Sequence, residues 1–358
     1  MGLPPLIIGN LIADVPIIQG GMGVGISGYR LSQAVANQGG IGVISGVQIG
    51  YREPDFETNT KEANVRALRK EIRKARELSP DGIIGVNIMV AVSDYDEMVR
   101  TCVEENADII ISGAGIPLKL PALVEGSSIK IAPIVSSGKA ASIIIRHWIK
   151  KYSRIPDMIV VEGPLAGGHL GFHIEQLESG NESLEQIVPE VIEVVKVFEN
   201  RYDRKIPVVA AGGIYTGEDI AKFLKLGASG VQMGTRFVAT EECDASIEYK
   251  KMYVNSRKED IKLIKSPVGL PGRAIENKFI KIAEQHRIVP DKCYNCLKKC
   301  NPKNTPYCIS RALINAVEGK VDDALIFVGS NAYRIDKIVK VKDLIEELIF
   351  EAEKMYNI

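Results

Sequence analysis

The sequence has no excess of charge of either sign. Its 358 residues include 45 Lys and Arg against 45 Asp and Glu, so the net charge at pH 7 is near zero. Proteins that bind nucleic acid or an acidic membrane surface usually carry an excess or a cluster of positive charge. The balanced composition therefore gives no reason to expect either partner.

Long hydrophobic segments are also missing. The longest apolar runs, such as residues 141–145, are far too short to cross a bilayer. Residues 1–10 lack the cationic start and the long apolar core of a secretory signal. We therefore predict a cytoplasmic protein with no role in a membrane.

Cysteine is scarce except in one short segment. Four of the six cysteines follow one another at a C-x2-C-x3-C-x7-C spacing, namely Cys293, Cys296, Cys300 and Cys308. In a cytoplasmic chain such residues are more often thiols or metal ligands than disulfides. The spacing matches neither a zinc ribbon nor the bacterial ferredoxin pattern. We favour reduced structural thiols, with zinc or an iron–sulfur cluster as the next alternative and disulfides as the last.

The first two-thirds of the chain alternate short β-rich apolar runs with longer amphipathic stretches. Eight strands are predicted, at residues 15–19, 41–45, 83–88, 108–111, 130–135, 158–161, 207–210 and 230–233. Strands that are apolar throughout are typical of a parallel sheet covered on both faces. Eight β/α units in about 240 residues match one closed (β/α)8 TIM barrel. An open doubly wound sheet is the alternative, but the count of eight and the lack of a second nucleotide-binding fingerprint favour closure.

Helical spacing predicts the elements between and after these strands. The predicted helices are residues 29–38, 61–78, 95–106, 118–125, 139–152, 184–200, 217–226, 241–257, 277–286, 309–318 and 339–355. Residues 266–273 are rich in Pro and Gly and are predicted to be a loop. We predict a barrel over residues 1–240, a smaller substrate or cap domain over 241–331, and a C-terminal helix within 332–358 that packs back on the barrel.

The residues that follow the strands carry the chemistry, because the active site of such a barrel is built from these loops. Gly20, Gly21, Met22 and Gly23 follow the first strand. The glycines let the backbone approach a flat ligand, and a methionine can lie on a ring. A tight turn with no ligand is the alternative.

Asn87 ends the third strand. Its carboxamide can both donate and accept hydrogen bonds, which suits the edge of an isoalloxazine ring or a phosphate oxygen. A loop asparagine with only structural partners is equally compatible with the sequence.

Two further loops predict a phosphate pocket. Small residues follow the seventh and eighth strands, where many barrels bind a phosphate through backbone N–H groups and helix N-termini. The first segment contains Gly212 and Gly213, and the second contains Gln232, Met233, Gly234 and Thr235. Because both loops occur where this rule places them, the pair is a stronger signal than either alone.

The sixth strand leads into a loop with Glu162, Gly167, Gly168 and His169. A histidine flanked by glycines at a strand end is exposed to the barrel mouth and can transfer protons. We predict that His169 is catalytic, with a structural histidine as the alternative. For His173, a role in supporting the site and a position on the surface are equally compatible with the sequence.

Together these segments resemble the nitronate monooxygenase family, which includes FMN-dependent enoyl-acyl-carrier-protein reductases. The resemblance rests on Gln-Gly-Gly-Met-Gly, Ala-Gly-Gly-His, Ala-Gly-Gly-Ile and Gln-Met-Gly-Thr in this order, and it resumes at residues 328–336. It implies that FMN contacts the glycine-rich loops, Met22, Asn87, Glu162 and residues 232–235, and that His169 takes the family's catalytic position. Two departures stand out: Glu162 replaces a common Gln, and Leu165 replaces a common Glu.

The resemblance implies two enzymatic activities. The first, which we favour from the family name, is oxidation of alkyl nitronates by O2 to carbonyl compounds and nitrite. The second is NAD(P)H-dependent reduction of an enoyl thioester. A non-catalytic flavin-binding protein is the alternative from another class, and it does not explain the placement of His169.

Overall fold

The computed structural model describes residues 2–356. Its strands are β1 (Leu6–Ile8), β2 (Leu11–Ala13), β3 (Ile17–Gln19), β4 (Ile41–Ser45), β5 (Ile83–Met89), β6 (Ile109–Gly113), β7 (Lys130–Val135), β8 (Ile159–Glu162), β9 (Gly168–His169), β10 (Val208–Ala211), β11 (Gly230–Met233), β12 (Ile261–Lys265) and β13 (Pro271–Ile275). Its helices are α1 (Tyr29–Ala36), α2 (Thr60–Leu78), α3 (Tyr95–Glu104), α4 (Leu120–Leu123), α5 (Gly138–Tyr152), α6 (Ile174–Ser179), α7 (Leu184–Tyr202), α8 (Gly217–Lys225), α9 (Thr235–Val238), α10 (Ile247–Val254), α11 (Lys278–Gln285), α12 (Ile309–Val317) and α13 (Val341–Tyr356).

Eight parallel strands close into the predicted barrel, in the order β10-β11-β3-β4-β5-β6-β7-β8. Alternate residues of a strand point to opposite faces, so Ile18 packs in the barrel interior and Ile17 packs against the helices. Both faces are buried, which explains why the strands read as continuous apolar runs. The (β/α)8 fold class is confirmed.

The β3–β4 contact is supported by a side chain. Only Ile18 and Ile41 pair along the two backbones. The buried Gln19 extends the contact, because its Oε1 accepts a hydrogen bond from Val43 N at 3.1 Å and its Nε2 donates to Val43 O at 3.2 Å. This bridge holds the end of β3, where the first glycine-rich loop begins.

The hairpin β1–β2 closes one end of the barrel. Leu6 and Ile8 are fully buried and join the interior cluster formed by residues such as Ile41 and Met158, near the amino ends of their strands. The opposite, carboxyl end is therefore the end that is open to a ligand.

The structure corrects three predictions of local structure. Residues 241–257 do not form one helix, because Asp244 accepts hydrogen bonds from Gly28 N and Leu31 N and holds its segment against α1; the helix there is α10 alone. Residues 266–273 are not all loop, since Pro271 begins β13 and only a tight turn separates β12 from β13. The predicted helix at 118–125 shortens to α4. In the first two cases long-range contacts override the local pattern.

The segment after Thr240 packs closely on the barrel. Tyr249, Ile275 and Ala316 belong to the same buried cluster as the barrel helices. The terminal helix α13 packs against α8, where Gly217 N donates to Glu351 Oε2 at 2.9 Å. The division into domains at residues 240 and 331 stays a prediction. Because of these contacts, we call residues 241–331 the cover of the barrel.

A buried carboxylate ties three elements of the barrel wall together. The side chain of Asp157 has no exposed surface. It forms ion pairs with Arg154 at 2.7 Å and Arg204 at 2.5 Å, and it accepts a hydrogen bond from Ile131 N at 2.9 Å. We expect Asp157→Ala to lower the free energy of unfolding by about 2–4 kcal/mol, because two cations and a buried N–H lose their partner. Urea unfolding measures it. Glu193→Ala, which removes only an exposed pair with Lys196, is the control and should change little.

Candidate functional site

A cavity of about 450 Å³ opens at the carboxyl ends of the barrel strands. Its walls include every residue that the sequence analysis assigned to catalysis or to the cofactor: His169, Gly20, Gly21, Met22, Gly23, Asn87, Glu162, Gly167, Gly168, Gly212, Gly213, Gln232, Met233, Gly234 and Thr235. Residues more than 200 positions apart in the chain thus meet in one place. His173 lies outside this cavity, at the beginning of α6.

The loop after β3 is tightly packed against the carboxyl end of β5. A Cβ on Gly21 would collide with the side chain of Asn87, so only glycine fits there. The next residue, Met22, is held by a 2.8 Å hydrogen bond from its backbone N to Ser27 Oγ, and its sulfur lies near Gly234. The loop therefore presents backbone and a thioether to the cavity.

The loops after β10 and β11 form the predicted anion end of the cavity. Gly212 and Gly213 have φ values of +95° and +89°, which residues with a side chain rarely adopt. Asn331 Nδ2 donates to Gly213 O at 2.7 Å and ties the loop to the 328–336 segment. A backbone turn of this kind leaves N–H groups free to face a phosphate.

Among residues 2–356, six buried side-chain polar atoms have no hydrogen-bond partner, and one of them belongs to a residue of the cavity wall. The Oε1 of Gln232, at the end of β11, is buried and accepts no hydrogen bond. An unpaired buried acceptor costs free energy, so it indicates a donor that is supplied by a ligand. The pyrimidine ring of a flavin carries such an N–H. The residues present therefore fit a flavin in this cavity.

His169 is positioned by a strand pair that the sequence did not reveal. The short strand β9 pairs with β13, so that Gly272 lies opposite His169. The His169 Nε2 lies 2.7 Å from Ser266 Oγ in the β12–β13 turn, and Phe327 packs edge-on at 4.9 Å. Burial lowers the pKa of His169 to about 4, so its imidazole is neutral at pH 7.

Glu162 ends β8 and faces the same cavity. Burial raises the pKa of its carboxyl to about 7, although Gly171 N–H and the nearby Arg273 guanidinium act in the opposite direction. Arg273 donates instead to the Ala166 carbonyl, which keeps its charge directed toward the loop backbone. Desolvation is thus the larger effect, and Glu162 exchanges a proton near neutral pH.

This raised pKa predicts a pH-dependent stability. The unfolded chain loses the Glu162 proton near pH 4.5, whereas the folded protein keeps it until about pH 7. Between these values the folded state binds more protons, so its free energy of unfolding falls as pH rises, by at most about 3 kcal/mol. In Glu162→Gln this contribution to the fall should be absent. Urea unfolding of the flavin-free protein at pH 5 and pH 7.5 measures it.

The matched control for this experiment is Glu175→Gln, which changes an exposed carboxylate of α6. It should retain the fall in stability seen in the unmodified protein. An equal fall in Glu162→Gln would show that Glu162 does not hold its proton in the folded state.

Sequence reasoning missed the part of the cavity wall that residues 241–331 supply. Tyr249, Tyr253 and Phe327 line the cavity, as do aliphatic residues of the β12–β13 turn and α12. Both tyrosine hydroxyls contact Phe327 O, at 3.5 and 2.5 Å, so their rings form apolar wall. The only signal in the sequence was the composition of these segments, which does not specify the face that each residue presents.

The four clustered cysteines line a second cavity, of about 240 Å³, beside the first. All four are free thiols. The pKa of Cys296 is raised to about 11, mainly by burial; a hydrogen bond with the Ser310 side chain lowers it, and the thiols of Cys308, Cys300 and Cys293 add to the rise. Within residues 2–356 no three His, Cys, Asp or Glu side chains are arranged around a position for one single metal ion.

No helix in the part of the chain that the structure describes is long and apolar enough to span a membrane. This agrees with the short apolar runs of the sequence.

Comparison with known proteins gives relatives with several different names. A protein of Rhodococcus jostii (strain RHA1), (3aS,4S,5R,7aS)-5-hydroxy-7a-methyl-1-oxo-octahydro-1H-indene-4-carboxyl-CoA dehydrogenase, is 28% identical over 269 residues, which are 75% of this chain and 65% of that protein. A probable nitronate monooxygenase of Staphylococcus aureus (strain JH9) is 28% identical over 310 residues, 78% of this chain and 81% of that protein. The solved structure of FabK from Thermotoga maritima superimposes with a TM-score of 0.73 at 28% identity, covering 96% of this chain and 94% of that one.

The family model described as nitronate monooxygenase matches residues 6–351, nearly the whole chain. That match covers the barrel, the glycine-rich loops, the cover and most of α13, and it agrees with the geometry of the flavin cavity. The chain therefore belongs to the nitronate monooxygenase family and is a flavin-dependent oxidoreductase.

Proposed function

We propose that the protein binds FMN and uses NAD(P)H to reduce a carbon–carbon double bond conjugated to a thioester carbonyl. One observation carries this choice of substrate. Among residues 2–356, the cavity wall contains no lysine or arginine, and its outer part is formed by apolar residues such as Leu270, Leu313 and Phe327. Such a wall suits a neutral reactive group on an apolar chain.

The electrostatics of the cavity favour an uncharged substrate. His169 is neutral at pH 7, and Glu162 is neutral or negative there. An anionic substrate would lose its water shell without gaining a cationic partner, which is costly in a buried site. A thioester carbonyl needs only a hydrogen-bond donor.

When bound, FMN would supply hydride transfer from NAD(P)H to the carbon β to the carbonyl, and the α carbon would take a proton from water. Gly212, Gly213 and Thr235 would hold its phosphate. Met22, Asn87, Glu162 and Gln232 would surround its ring. FMN carries one phosphate group, and the loops after β10 and β11 offer one place in the cavity wall for it.

His169 would act on the substrate carbonyl. A neutral imidazole has one N–H, and such a donor polarises a carbonyl without transferring its proton. Ser266 and Phe327 fix the ring by a hydrogen bond and an edge contact. The cover residues exclude water, which strengthens this hydrogen bond.

Nitronate oxidation is the second candidate, although the family name made it the first choice from sequence alone. The Staphylococcus relatives carry that name. A neutral His169 can accept a proton from an uncharged carbon acid, but its lowered pKa makes it a weak base. Nitronate oxidation is therefore placed after the reductase, because the cavity wall formed by residues 2–356 offers no cation to an anionic nitronate.

Anaerobic reduction of the bound flavin separates the two activities. NADH or NADPH should bleach the flavin promptly, and a 2-enoyl thioester should restore its colour with formation of the saturated thioester. Bleaching by propionate-3-nitronate or an alkyl nitronate, but not by either nicotinamide, would support the monooxygenase instead. If neither class of reductant bleaches the flavin, both proposals are wrong.

A further inference from the structure

The second cavity is surrounded by the four clustered cysteines, which we call the four-cysteine cavity (Cys293, Cys296, Cys300 and Cys308). Four free thiols around one small cavity are a set of ligands that iron–sulfur clusters use. We propose that the four-cysteine cavity binds an iron–sulfur cluster of the [4Fe–4S] type.

The arrangement of the cysteines argues for a cluster over a single ion. Tetrahedral zinc with Zn–S bonds of about 2.3 Å needs sulfurs about 3.8 Å apart. No three ligating side chains in residues 2–356 are arranged around one ion in this way. In a [4Fe–4S] cluster each cysteine binds a different iron, so the four cysteines surround a space that holds the cluster. The four cysteines here line one cavity of about 240 Å³, which agrees with this second kind of site.

The segment that carries the cysteines needs something to hold it. Between α11 and α12, residues 286–308 contain no helix or strand, only an isolated bridge at Leu297. Loops of this length without regular structure are uncommon in a compact protein unless they bind something or are mobile. A cluster that binds four side chains of the loop would cross-link it in addition to its hydrogen bonds.

Existing contacts already fix the frame around the cavity. Ser93 N donates to Cys296 O at 3.0 Å, and Lys298 N donates to Ala91 O at 3.0 Å, which ties the loop to the segment after β5. Within the loop, the Arg287 side chain donates hydrogen bonds to Pro302 O at 2.8 Å and to Thr305 O at 3.0 Å. The sites for the sulfurs are therefore set by the fold.

Hydrogen-bond donors and positive charge suit a cluster with anionic thiolate ligands. Asn295 N lies 3.4 Å from Cys293 Sγ, and the first residues of α12 follow Cys308, with their N–H groups at the helix end. Residues 286–303 contain five cations and one acid, namely Arg287, Lys292, Lys298, Lys299 and Lys303 against Asp291. N–H groups near the sulfurs and nearby cations stabilise thiolate ligands and tune the potential of a cluster.

The location would place the cluster beside the flavin. Cys296, Leu297 and Ile309 border both cavities, so one layer of residues separates them. The cluster would therefore be a redox-active neighbour of the flavin cavity. This proposal does not depend on which substrate the flavin acts on.

The test is the metal content of the full-length protein purified without oxygen. We expect about four iron and four acid-labile sulfide per chain, and a low-temperature electron paramagnetic resonance signal after reduction with dithionite. If the purified protein lacks iron, reconstitution with ferrous iron and sulfide should restore both. Stoichiometric zinc without sulfide, or four titratable thiols after reconstitution, would overturn the proposal.

Single substitutions identify the ligands. Cys296→Ser and Cys300→Ser should each lose at least half of the iron and sulfide, whereas Cys102→Ala, which changes a buried cysteine of α3, should keep them. Retained flavin in each variant shows that the barrel is folded. Equal iron in all three variants would exclude the four-cysteine cavity as the site. The wild-type assay decides the proposal even if a variant does not fold.

Discussion

Replacing His169 by alanine is expected to lower turnover by about two to four orders of magnitude while FMN stays bound. The loss follows from the position of the ring, which Ser266 at 2.7 Å and the β9–β13 pair hold toward the cavity. Flavin binding should survive, because the glycine loops after β10 and β11 do not depend on this side chain. Steady-state kinetics and the flavin-to-protein absorbance ratio measure the two effects.

Ser266→Ala is the companion to this experiment. It leaves the imidazole in place and removes one contact that orients it, so turnover should fall less than in His169→Ala. If the histidine variant turns over at the normal rate, His169 has no part in the mechanism. If it loses flavin instead, its role is structural.

Gly213→Ala is expected to weaken FMN binding by at least about tenfold, which corresponds to 1.4 kcal/mol. The φ of +89° at this residue is strained for any residue with a side chain, and a new Cβ would lie 2.9 Å from Leu165 Cβ. The loop would have to move, and the N–H groups that face the phosphate would move with it. Fluorescence titration of the flavin-free protein with FMN measures the affinity.

Gly126→Ala is the matched control for this variant. Gly126 has a φ of +78° and open space around it, away from the flavin cavity. It imposes a similar backbone strain without the collision, so it should lower stability slightly and leave FMN affinity unchanged. Equal affinity of the two variants would remove the loop after β10 from the flavin site.

The eight barrel strands and the flavin loops could be predicted because their signals are local. A strand that is buried on both faces must be apolar at every position, and a loop that approaches a ligand closely must be rich in glycine. In a closed parallel barrel all carboxyl ends lie at the same rim. Predicting the strands therefore also predicted that Gly21, Asn87 and Gly213 would meet, and they do.

The residues from Glu241 onward were less predictable, since their structure depends on distant partners. Asp244 breaks the predicted helix because it binds the amino end of α1, and Pro271–Arg273 become strand because β9 and β12 are available to pair. None of these partners is visible in a local pattern. The apolar wall of Tyr249, Tyr253 and Phe327 was missed for the same reason.

The amino-acid pattern alone thus specified the barrel, the end at which its cavity opens and the loops that surround that cavity. Tertiary packing specified the protonation states of Glu162 and His169, since desolvation depends on every element that surrounds a group. It also specified the spacing of the four cysteines around a cavity and the uncharged wall beside the flavin loops. These properties decide the chemistry, and they arise from contacts between segments that lie far apart in the chain.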